Sequence, residues 1–278
     1  MSGVAVVTDS TASFPPGLAE QHGLYVVPLH VVLGHRAGPE GVEVSPADVA
    51  LAFADRRVRV TTSRPTPGQL LSTYRRCGSE RVVSVHLSGA LSGTLDSARS
   101  AAVKAAAEGI DVRVVDSRSL AMGLGFAALV AAREAAAGAS VDAVEAAAAG
   151  CDTSTLFYVD TLEHLWRGGR TTAAAALIGT ALSVKPLLVV RDGGIHLLDK
   201  VRTASKALAR LRQLVVDQAT GPVDLAVHHL AAPQRAAALA EALRRDLPEV
   251  QTIHVSEVGA VIGAHAGPGL VGVVVCRG

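Results

Sequence analysis

The chain has 278 residues, which is long enough for two medium-sized domains, each with its own hydrophobic core. Hydrophobic residues make up 49% of the chain and charged residues 18%, a balance that is typical of a globular protein and excludes a disordered or collagen-like one. A formal net charge of +1 and an aromatic content of 3% argue against nucleic-acid binding, which needs a basic surface and stacking platforms.

Short β-branched runs alternate with helical segments through the first half of the chain. The runs are apolar nearly throughout, as expected for parallel strands buried on both faces. They are VAVVT (4–8), LYVVPLHVVL (24–33), VRVTT (58–62), RVVSVHL (81–87) and VRVVD (112–116). The pattern predicts an α/β fold with a mainly parallel sheet in the N-terminal half.

Three helices between and after these strands have recognisable starts. Ser45, Thr66 and Ser140 each precede a helical segment and suit the N-cap position. Pro46 and Pro67 then occupy the first helical position, where proline costs no hydrogen bond.

The pattern changes after Gly150, where an alanine-rich helix ends. We predict a strand at 155–159, two helical pieces around RGGR, and a hairpin in which KPLLVV turns through RDGG into IHLLD. The remaining predicted elements are a helix (204–218), a strand (223–230), a helix (232–245) and strands at 250–255 and 270–276. The sequence thus predicts an N-terminal α/β domain over 1–150 and a C-terminal α/β domain with a mixed sheet over 151–278.

Nothing in the chain has the pattern of a targeting or membrane segment. The start, MSGVAVVTDS, lacks the basic and then apolar order of a signal peptide, and the longest uncharged stretches fall short of the about 20 residues that span a bilayer. Cys77, Cys151 and Cys276 are far apart and odd in number, so neither disulfides nor a thiolate metal site is expected. We expect a cytoplasmic protein.

Two hydroxyl-rich loops connect predicted strands to predicted helices. The first is HLSGALSGTL (86–95) and the second is TTSRPTP (61–67). Open α/β sheets bind ligands at the carboxyl ends of their strands, and such loops offer hydroxyl and backbone N–H donors to an anion. A single loop of this kind is better explained as a tight turn with a Ser or Thr cap. Two such loops, which can converge from adjacent strands, favour a ligand-binding site. Because no G-x-x-x-x-G-K-[ST] is present, a nucleoside triphosphate is not expected at these loops.

Two further segments carry candidate functional residues. In VIGAHAGPGL (261–270), His265 lies among glycines that permit close backbone approach, although a lone histidine is more often structural. In LWRGGR (165–170), Arg167 and Arg170 beside Trp166 are either solvated arginines or part of an interface. Spacing alone leaves that choice open.

Seven segments together resemble the DegV family. They occur in the family's order and cover nearly the whole chain. They are TDSTAS (8–13), TSRPTPGQL (62–70), SGALSGTLDSA (88–98), VDSRSLAMGLG (115–125), LWRGGRTTAAAALIGTALSVKPLL (165–188), KVRT (200–203) and GAVIGAHAGPGL (259–270).

The resemblance implies a bacterial fatty-acid-binding protein of two α/β domains. Its acyl chain would be buried in one domain and its carboxylate held near the domain interface. Such a protein would be the non-catalytic, lipid-carrying subunit of a fatty acid kinase, presenting the carboxylate to a separate ATP-dependent partner that forms an acyl phosphate. Contact with a membrane surface would be transient, and no cofactor or metal is implied beyond the bound long-chain fatty acid.

The resemblance also assigns roles to individual residues. Carboxylate binding is implied for one set that matches the family's motifs: Thr62, Ser63, Ser92, Gly93, Thr94 and His265. Arg170 corresponds to the arginine that the family associates with kinase contact. The chain departs from the family pattern at Arg64, Leu95 and Ala121, where glutamine, tyrosine and serine are common. Arg64 adds a positive charge near the expected head-group site.

Two enzymatic alternatives are weaker. GLGFAA (123–128) fits G-x-G-x-x-A of NAD-dependent enzymes, but six residues separate it from the preceding strand. A serine hydrolase would use Ser92 or Ser88 with His265 and with Asp9 or Asp116, yet the elbow G-x-S-x-G is missing around Ser92.

A metal site is not expected at the adjacent histidines. His228 and His229 are consecutive residues of a predicted strand, so their side chains point to opposite faces. The pair alone is therefore a poor chelator.

Overall fold

The computed structural model describes residues 3–55, 58–171 and 184–278. The chain forms two compact units, each built from two chain segments. The first unit comprises Met1–His30 and Ser63–Cys151, and the second comprises Val31–Thr62 and Asp152–Gly278. Residues 31–62 therefore group with the second unit, whereas a division at residue 150 would place them in the first.

Strands and helices alternate through most of the described chain. The strands are β1 (Ala5–Asp9), β2 (Tyr25–Val27), β3 (His30–Leu33), β4 (Arg36–Pro39), β5 (Val60–Ser63), β6 (Arg81–His86), β7 (Asp111–Asp116), β8 (Asp152–Tyr158), β9 (Lys185–Arg191), β10 (Gly194–Val201), β11 (Val223–His229), β12 (Val250–Glu257) and β13 (Val271–Arg277). The helices are α1 (Leu18–Gln21), α2 (Pro46–Ala54), α3 (Pro67–Arg76), α4 (Thr94–Ala106), α5 (Met122–Ala136), α6 (Val141–Ala149), α7 (Glu163–Arg167), α8 (Ala204–Gln218), α9 (Pro233–Asp246) and α10 (Ala260–Ala266).

The first unit is built on a four-stranded parallel sheet. Its strand order is β2-β1-β6-β7, and each neighbouring pair is parallel. Val7 and Val82 face a core formed with α3 and α4, whose side chains include Leu70, Tyr74 and Ala98. Helices α5 and α6 also pack against this sheet, and most of α5 is buried. Strands covered in this way are apolar along their length, which is the pattern that the sequence shows.

The second unit is built on a six-stranded mixed sheet. Its order is β10-β9-β8-β13-β11-β12, in which β11 and β12 are parallel and the other neighbours antiparallel. Leucine and valine side chains of this sheet pack against α8 and α9, with Leu211 and Leu243 fully buried. A separate three-stranded sheet has the order β4-β3-β5. The mixed α/β architecture confirms the predicted fold class.

The three predicted helix starts are also confirmed. The Ser45 hydroxyl accepts from the Asp48 N–H at the start of α2, and the Thr66 hydroxyl accepts from the Gln69 N–H at the start of α3. Both are complete capping boxes, because the side chain three residues on bonds the N-cap N–H in return. At the start of α6, the Ser140 hydroxyl accepts from the Ala143 N–H without a reciprocal bond.

Two features differ from the sequence-based expectation. The run 24–33 forms two strands, β2 and β3, which belong to different sheets and are separated at Pro28; proline has no N–H to continue a ladder. Strand β4 contains Gly38 and Pro39, and helix α10 contains Gly263, so propensity alone favours neither element. The predicted second helical piece after RGGR falls at 172–183, outside the described residues.

Candidate anion-binding loops and histidine pocket

In the first unit, the loop from His86 to Thr94 joins β6 to α4. The Ser92 N–H donates to the Ser88 carbonyl at 3.1 Å, which folds the loop back on itself. The Ser92 hydroxyl lies 3.0 Å from the Thr94 hydroxyl and accepts from the Thr94 N–H at 3.3 Å. The hydroxyls of Ser92 and Thr94 therefore lie side by side in the loop between β6 and α4.

The start of α4 suits an anion. Gly93 is its N-cap and supplies no side chain to the first-turn N–H groups of this 13-residue helix. The helix dipole and these N–H groups favour negative charge at the same place as the Ser92 and Thr94 hydroxyls. Thr94 is fully buried and its N–H already bonds the Ser92 hydroxyl, so the donors left for a small anion such as a carboxylate are the Ser92 hydroxyl and the other first-turn N–H groups.

A buried polar network holds this loop in place. The Asp9 carboxylate accepts from the Leu87 N–H at 3.1 Å and from His86 Nδ1 at 3.0 Å. His86 Nε2 lies 2.7 Å from the Ser84 hydroxyl, which lies 3.0 Å from the Tyr74 hydroxyl. Burial raises the pKa of Tyr74 to about 12, so the phenol stays protonated. The sequence analysis missed this network, although polar residues within an otherwise apolar strand were its signal.

Asp9 and Asp116 are both already engaged within the first unit. Asp9 is fully buried and pairs with His86. Asp116 accepts from the Gly89 and Arg118 N–H groups and so braces the loop. Both carboxylates are bound to groups of the sheet and its loops rather than to His265. This does not favour the serine hydrolase alternative, in which one of them would orient that histidine.

In the second unit, Thr62 and His265 form a hydrogen bond. The Thr62 hydroxyl at the end of β5 lies 2.8 Å from Nε2 of His265 on α10. Burial, with a smaller contribution from the positive charge of Arg170, lowers the pKa of His265 to about 4. The imidazole is therefore neutral near pH 7, with one ring nitrogen a donor and the other an acceptor.

Two histidines pack on glycines in a reciprocal arrangement. A Cβ at Gly168, just after α7, would overlap Nδ1 of His265 on α10. A Cβ at Gly267, just after α10, would overlap the ring of His164 on α7. The His164 ring also lies against Phe53, with centroids 4.2 Å apart. Glycine at these two positions therefore makes room for imidazole rings.

These residues line a pocket of about 780 Å³ in the second unit. Thr62, His164 and His265 contribute to its wall, together with the side chains of Arg59, Arg167 and Arg170, while Asp55 and Glu163 supply the acidic groups. Arg167 pairs with Glu163 at 2.7 Å, and Arg170 Nη1 donates to the Gly168 carbonyl. The remaining positive charge favours an anionic ligand or partner.

Helix α10, which carries His265, has a tertiary cap. Its N-cap residue, Gly259, has no side chain, and the Val261 N–H instead donates to the Glu40 carboxylate at 2.8 Å. Glu40 is only 5% exposed. Sequence reasoning missed Glu40, because its partner lies 221 residues further along the chain.

The other candidate residues lie apart from these contacts. Ser63 is the exposed last residue of β5 and belongs to the first unit. Gly123 and Gly125 lie inside helix α5 rather than in a strand-to-helix turn, so the NAD-binding alternative lacks its required context. Over residues 3–55, 58–171 and 184–278 there is no cluster of three metal-ligating side chains.

His228 and His229 are both buried in β11, and within the described part of the chain Nδ1 of His229 has no hydrogen-bond partner. His228 Nδ1 lies 3.1 Å from the Ser256 hydroxyl, and His229 Nδ1 lies 3.7 Å from Glu257. Within the described ranges, no helix is both long enough and apolar enough to cross a membrane.

The fold and these donor sets define an α/β protein of two units whose polar loops are suited to a small anion. The family model "Uncharacterised protein, DegV family COG1307" matches residues 3–278. The chain belongs to the DegV family, which confirms the resemblance of its motifs.

Relatives match this chain over nearly its full length. A DegV domain-containing protein of Streptomyces coelicolor is 58% identical over 98% of both chains. A Thermus thermophilus structure, described as fatty acid binding of a DegV family protein, superposes with a TM-score of 0.90 at 30% identity, covering 99% of this chain and 100% of that one. The structure of DegV, a fatty acid binding protein from Bacillus subtilis, gives a TM-score of 0.87 at 34% identity over 99% of each chain.

Proposed function

We propose that this protein binds a long-chain fatty acid and carries it as the non-catalytic subunit of a bacterial fatty acid kinase. The observation that carries the first part is the full-length match to two DegV proteins described as fatty acid binding. The two hydroxyl-rich loops of this chain add donors that suit a carboxylate. The proposed place of action is the cytoplasm.

The acyl tail supplies most of the binding energy in this proposal. Each buried methylene contributes about 0.8 kcal/mol, so a long chain gains roughly 10 kcal/mol before the costs of ordering are counted. The head group contributes less and sets the orientation of the lipid. Neutral donors suffice for one ionised carboxylate, since hydrogen bonds to a charged acceptor are stronger than neutral ones.

Two donor sets are proposed to bind the carboxylate. One consists of Ser63 and the Ser92–Thr94 loop, and the other of Thr62 and His265. In the second set, a neutral His265 whose Nε2 carries the proton donates to the Thr62 oxygen. The Thr62 hydroxyl proton is then left to donate to the carboxylate. A protonated His265 is not needed, in agreement with its lowered pKa.

Arg170 is proposed to contact the kinase partner. Its guanidinium, held at the Gly168 carbonyl, lies in the wall of the positive pocket. In the reaction, a carboxylate oxygen attacks the γ-phosphorus of ATP bound to the partner, and ADP leaves. A positive side chain beside this reaction centre suits the charge that phosphoryl transfer concentrates there.

Mass spectrometry of the purified chain tests lipid binding. We expect one fatty acid per chain in the denatured extract, and one per chain after a delipidated sample is incubated with long-chain acids. Ser92→Ala and His265→Ala should bind the acid more weakly. Ser92→Ala should keep the unfolding temperature near that of the unmodified chain, whereas His265→Ala should fold but unfold at a lower temperature, because it loses a packed ring and the bond to Thr62. Absence of stoichiometric lipid in both samples would contradict the proposed function.

A coupled assay with ATP and a bacterial fatty acid kinase subunit tests the partner role. Arg170→Ala should bind fatty acid normally but slow acyl phosphate formation. Arg244→Ala is the matched control, because it removes an equally charged, exposed side chain from α9. Full phosphorylation with Arg170→Ala would refute the role of Arg170.

A further inference from the structure

Arg64 lies directly on the Ser92–Thr94 loop of the first unit. Its Nη1 donates to the Gly93 carbonyl at 3.2 Å. A Cβ at Gly93 would overlap Nη1 of Arg64 and lie 2.9 Å from its Cζ. The guanidinium is therefore in close contact with the backbone of the residue that precedes α4.

The positive charge of Arg64 is not neutralised by a carboxylate of the described chain. Within residues 3–55, 58–171 and 184–278, the guanidinium donates a hydrogen bond to the neutral Gly93 carbonyl and forms no ion pair. By contrast, Arg75 on α3 binds the Glu108 carboxylate through two hydrogen bonds. A guanidinium has five N–H donors, so Arg64 keeps donor capacity beside the loop.

The contact in its present geometry depends on glycine at position 93. Gly93 has φ −75° and ψ 11°, which any residue can adopt. Its missing side chain is needed instead for the approach of Arg64, because a methyl group would occupy the place of the guanidinium. Arg64 and Gly93 thus form a contact pair, in which the guanidinium packs on the backbone of a residue that has no side chain.

We propose that Arg64 is a specificity-determining residue that makes the head-group site selective for an ionised carboxylate. It supplies a full positive charge at a loop whose other donors, the Ser92 and Thr94 hydroxyls, are neutral. This inference rests on the proposed function and adds that the site distinguishes charged from neutral head groups. A fatty acid anion gains from Arg64, whereas a neutral lipid of the same chain length does not.

Binding of a matched pair of ligands tests the role of the charge. Delipidated full-length protein is titrated with a fatty acid and with the fatty alcohol of equal chain length, at low and high salt. Arg64→Gln should bind the acid about fivefold more weakly at low salt and the alcohol equally well. High salt should narrow this difference, because it screens an exposed charge.

Arg99→Gln is the control for a general loss of charge. Arg99 lies on α4 of the same unit, and its side chain is 62% exposed. It should leave both affinities unchanged. A drop in acid affinity as large as that of Arg64→Gln would mean that net charge alone matters, which would overturn the inference.

A double-mutant cycle tests the pairing with Gly93. Gly93→Ala should weaken acid binding about as much as Arg64→Ala, because the new methyl group displaces the guanidinium. In the Arg64→Ala background, Gly93→Ala should then add little. Additive losses would show that Gly93 acts independently of Arg64 and would contradict the proposal.

The outcomes separate this inference from the proposed function. If the unmodified chain binds both lipids and Arg64→Gln binds the acid with unchanged affinity and salt dependence, Arg64 has no such role and the proposed function stands. If the unmodified chain binds neither lipid, both fail.

Discussion

Replacing Gly168 by alanine tests whether the reciprocal packing of histidines on glycines holds α7 and α10 together. Gly168 has φ −75° and ψ −11°, so alanine introduces no backbone strain there. Its Cβ would, however, overlap Nδ1 of His265. The perturbation is therefore steric and falls mainly on that ring, with the His164 carbonyl oxygen at 3.2 Å as the other close contact.

The expected magnitude follows from two opposing effects. Alanine for glycine in helical backbone stabilises by about 0.5–1 kcal/mol, since it reduces the freedom of the unfolded chain. Forcing a side chain out of a packed position costs about 1–3 kcal/mol. Displacement of His265 also breaks its bond to Thr62, which contributes about 1 kcal/mol. The net result should be a loss of about 2 kcal/mol.

The informative measurement is the same substitution without the histidine ring. In a His265→Ala background the overlap is gone, so Gly168→Ala should change sign and stabilise by about 0.5–1 kcal/mol. Denaturant unfolding of the four proteins gives the coupling free energy. Gly169→Ala is the matched control, because Gly169 has φ +71° and open space around it; its cost should be independent of His265. Equal effects of Gly168→Ala with and without His265 would refute the reasoning.

Three further predictions concern buried polar groups. Burial lowers the pKa of His228 and of His265 to about 4, so the unfolded chain binds more protons between about pH 6.5 and 4, and stability should fall as pH falls through that window. The free energy of unfolding, measured from pH 7.5 to 4.5, should fall with pH, and it should fall less steeply in His228→Asn. An equally steep fall in that variant would contradict the lowered pKa of His228. Glu40→Ala should cost about 1–3 kcal/mol because it removes the acceptor of the buried Val261 N–H, and Glu40→Gln should cost less, so equal losses in thermal unfolding would argue against a capping role. His86→Ala should cost about 3–5 kcal/mol, since it leaves a cavity and removes a partner of the fully buried Asp9; a loss below 1 kcal/mol by denaturant unfolding would show that the network is dispensable.

Local chemistry explains which elements the sequence could predict. The helix starts at Ser45, Thr66 and Ser140 depend on contacts three residues away, and all three are present. Helix α8 was predicted at its observed bounds, because its apolar residues recur at helical spacing and Thr203 caps it. Elements whose causes lie within one turn of chain are readable from the sequence.

Distant contacts explain what the sequence could not predict. Helix α10 contains Gly263, is flanked by Gly259 and Gly267, and depends on Glu40 for its cap. The bond from Thr62 to His265 joins residues 203 positions apart. The family motifs implied carboxylate binding for these two residues but did not indicate that they contact each other. Arg64 was predicted to add charge near the site, and only the structure shows that it rests on Gly93.

The glycines of the family motifs thus have a physical role that the motifs alone do not reveal. Gly93 lies under the guanidinium of Arg64, Gly168 under the imidazole of His265, and Gly267 under that of His164. Gly93 and Gly168 have backbone conformations open to any residue, so at these two the constraint comes from the side chain above, whereas Gly267 also has a φ of +77° that favours glycine. A cationic or imidazole group held against bare backbone loses rotamer freedom before a ligand arrives, which lowers the entropy cost of binding. Alanine at Gly93 or Gly168 should therefore impair the proposed head-group recognition by displacing Arg64 or His265, with little effect on binding of the tail.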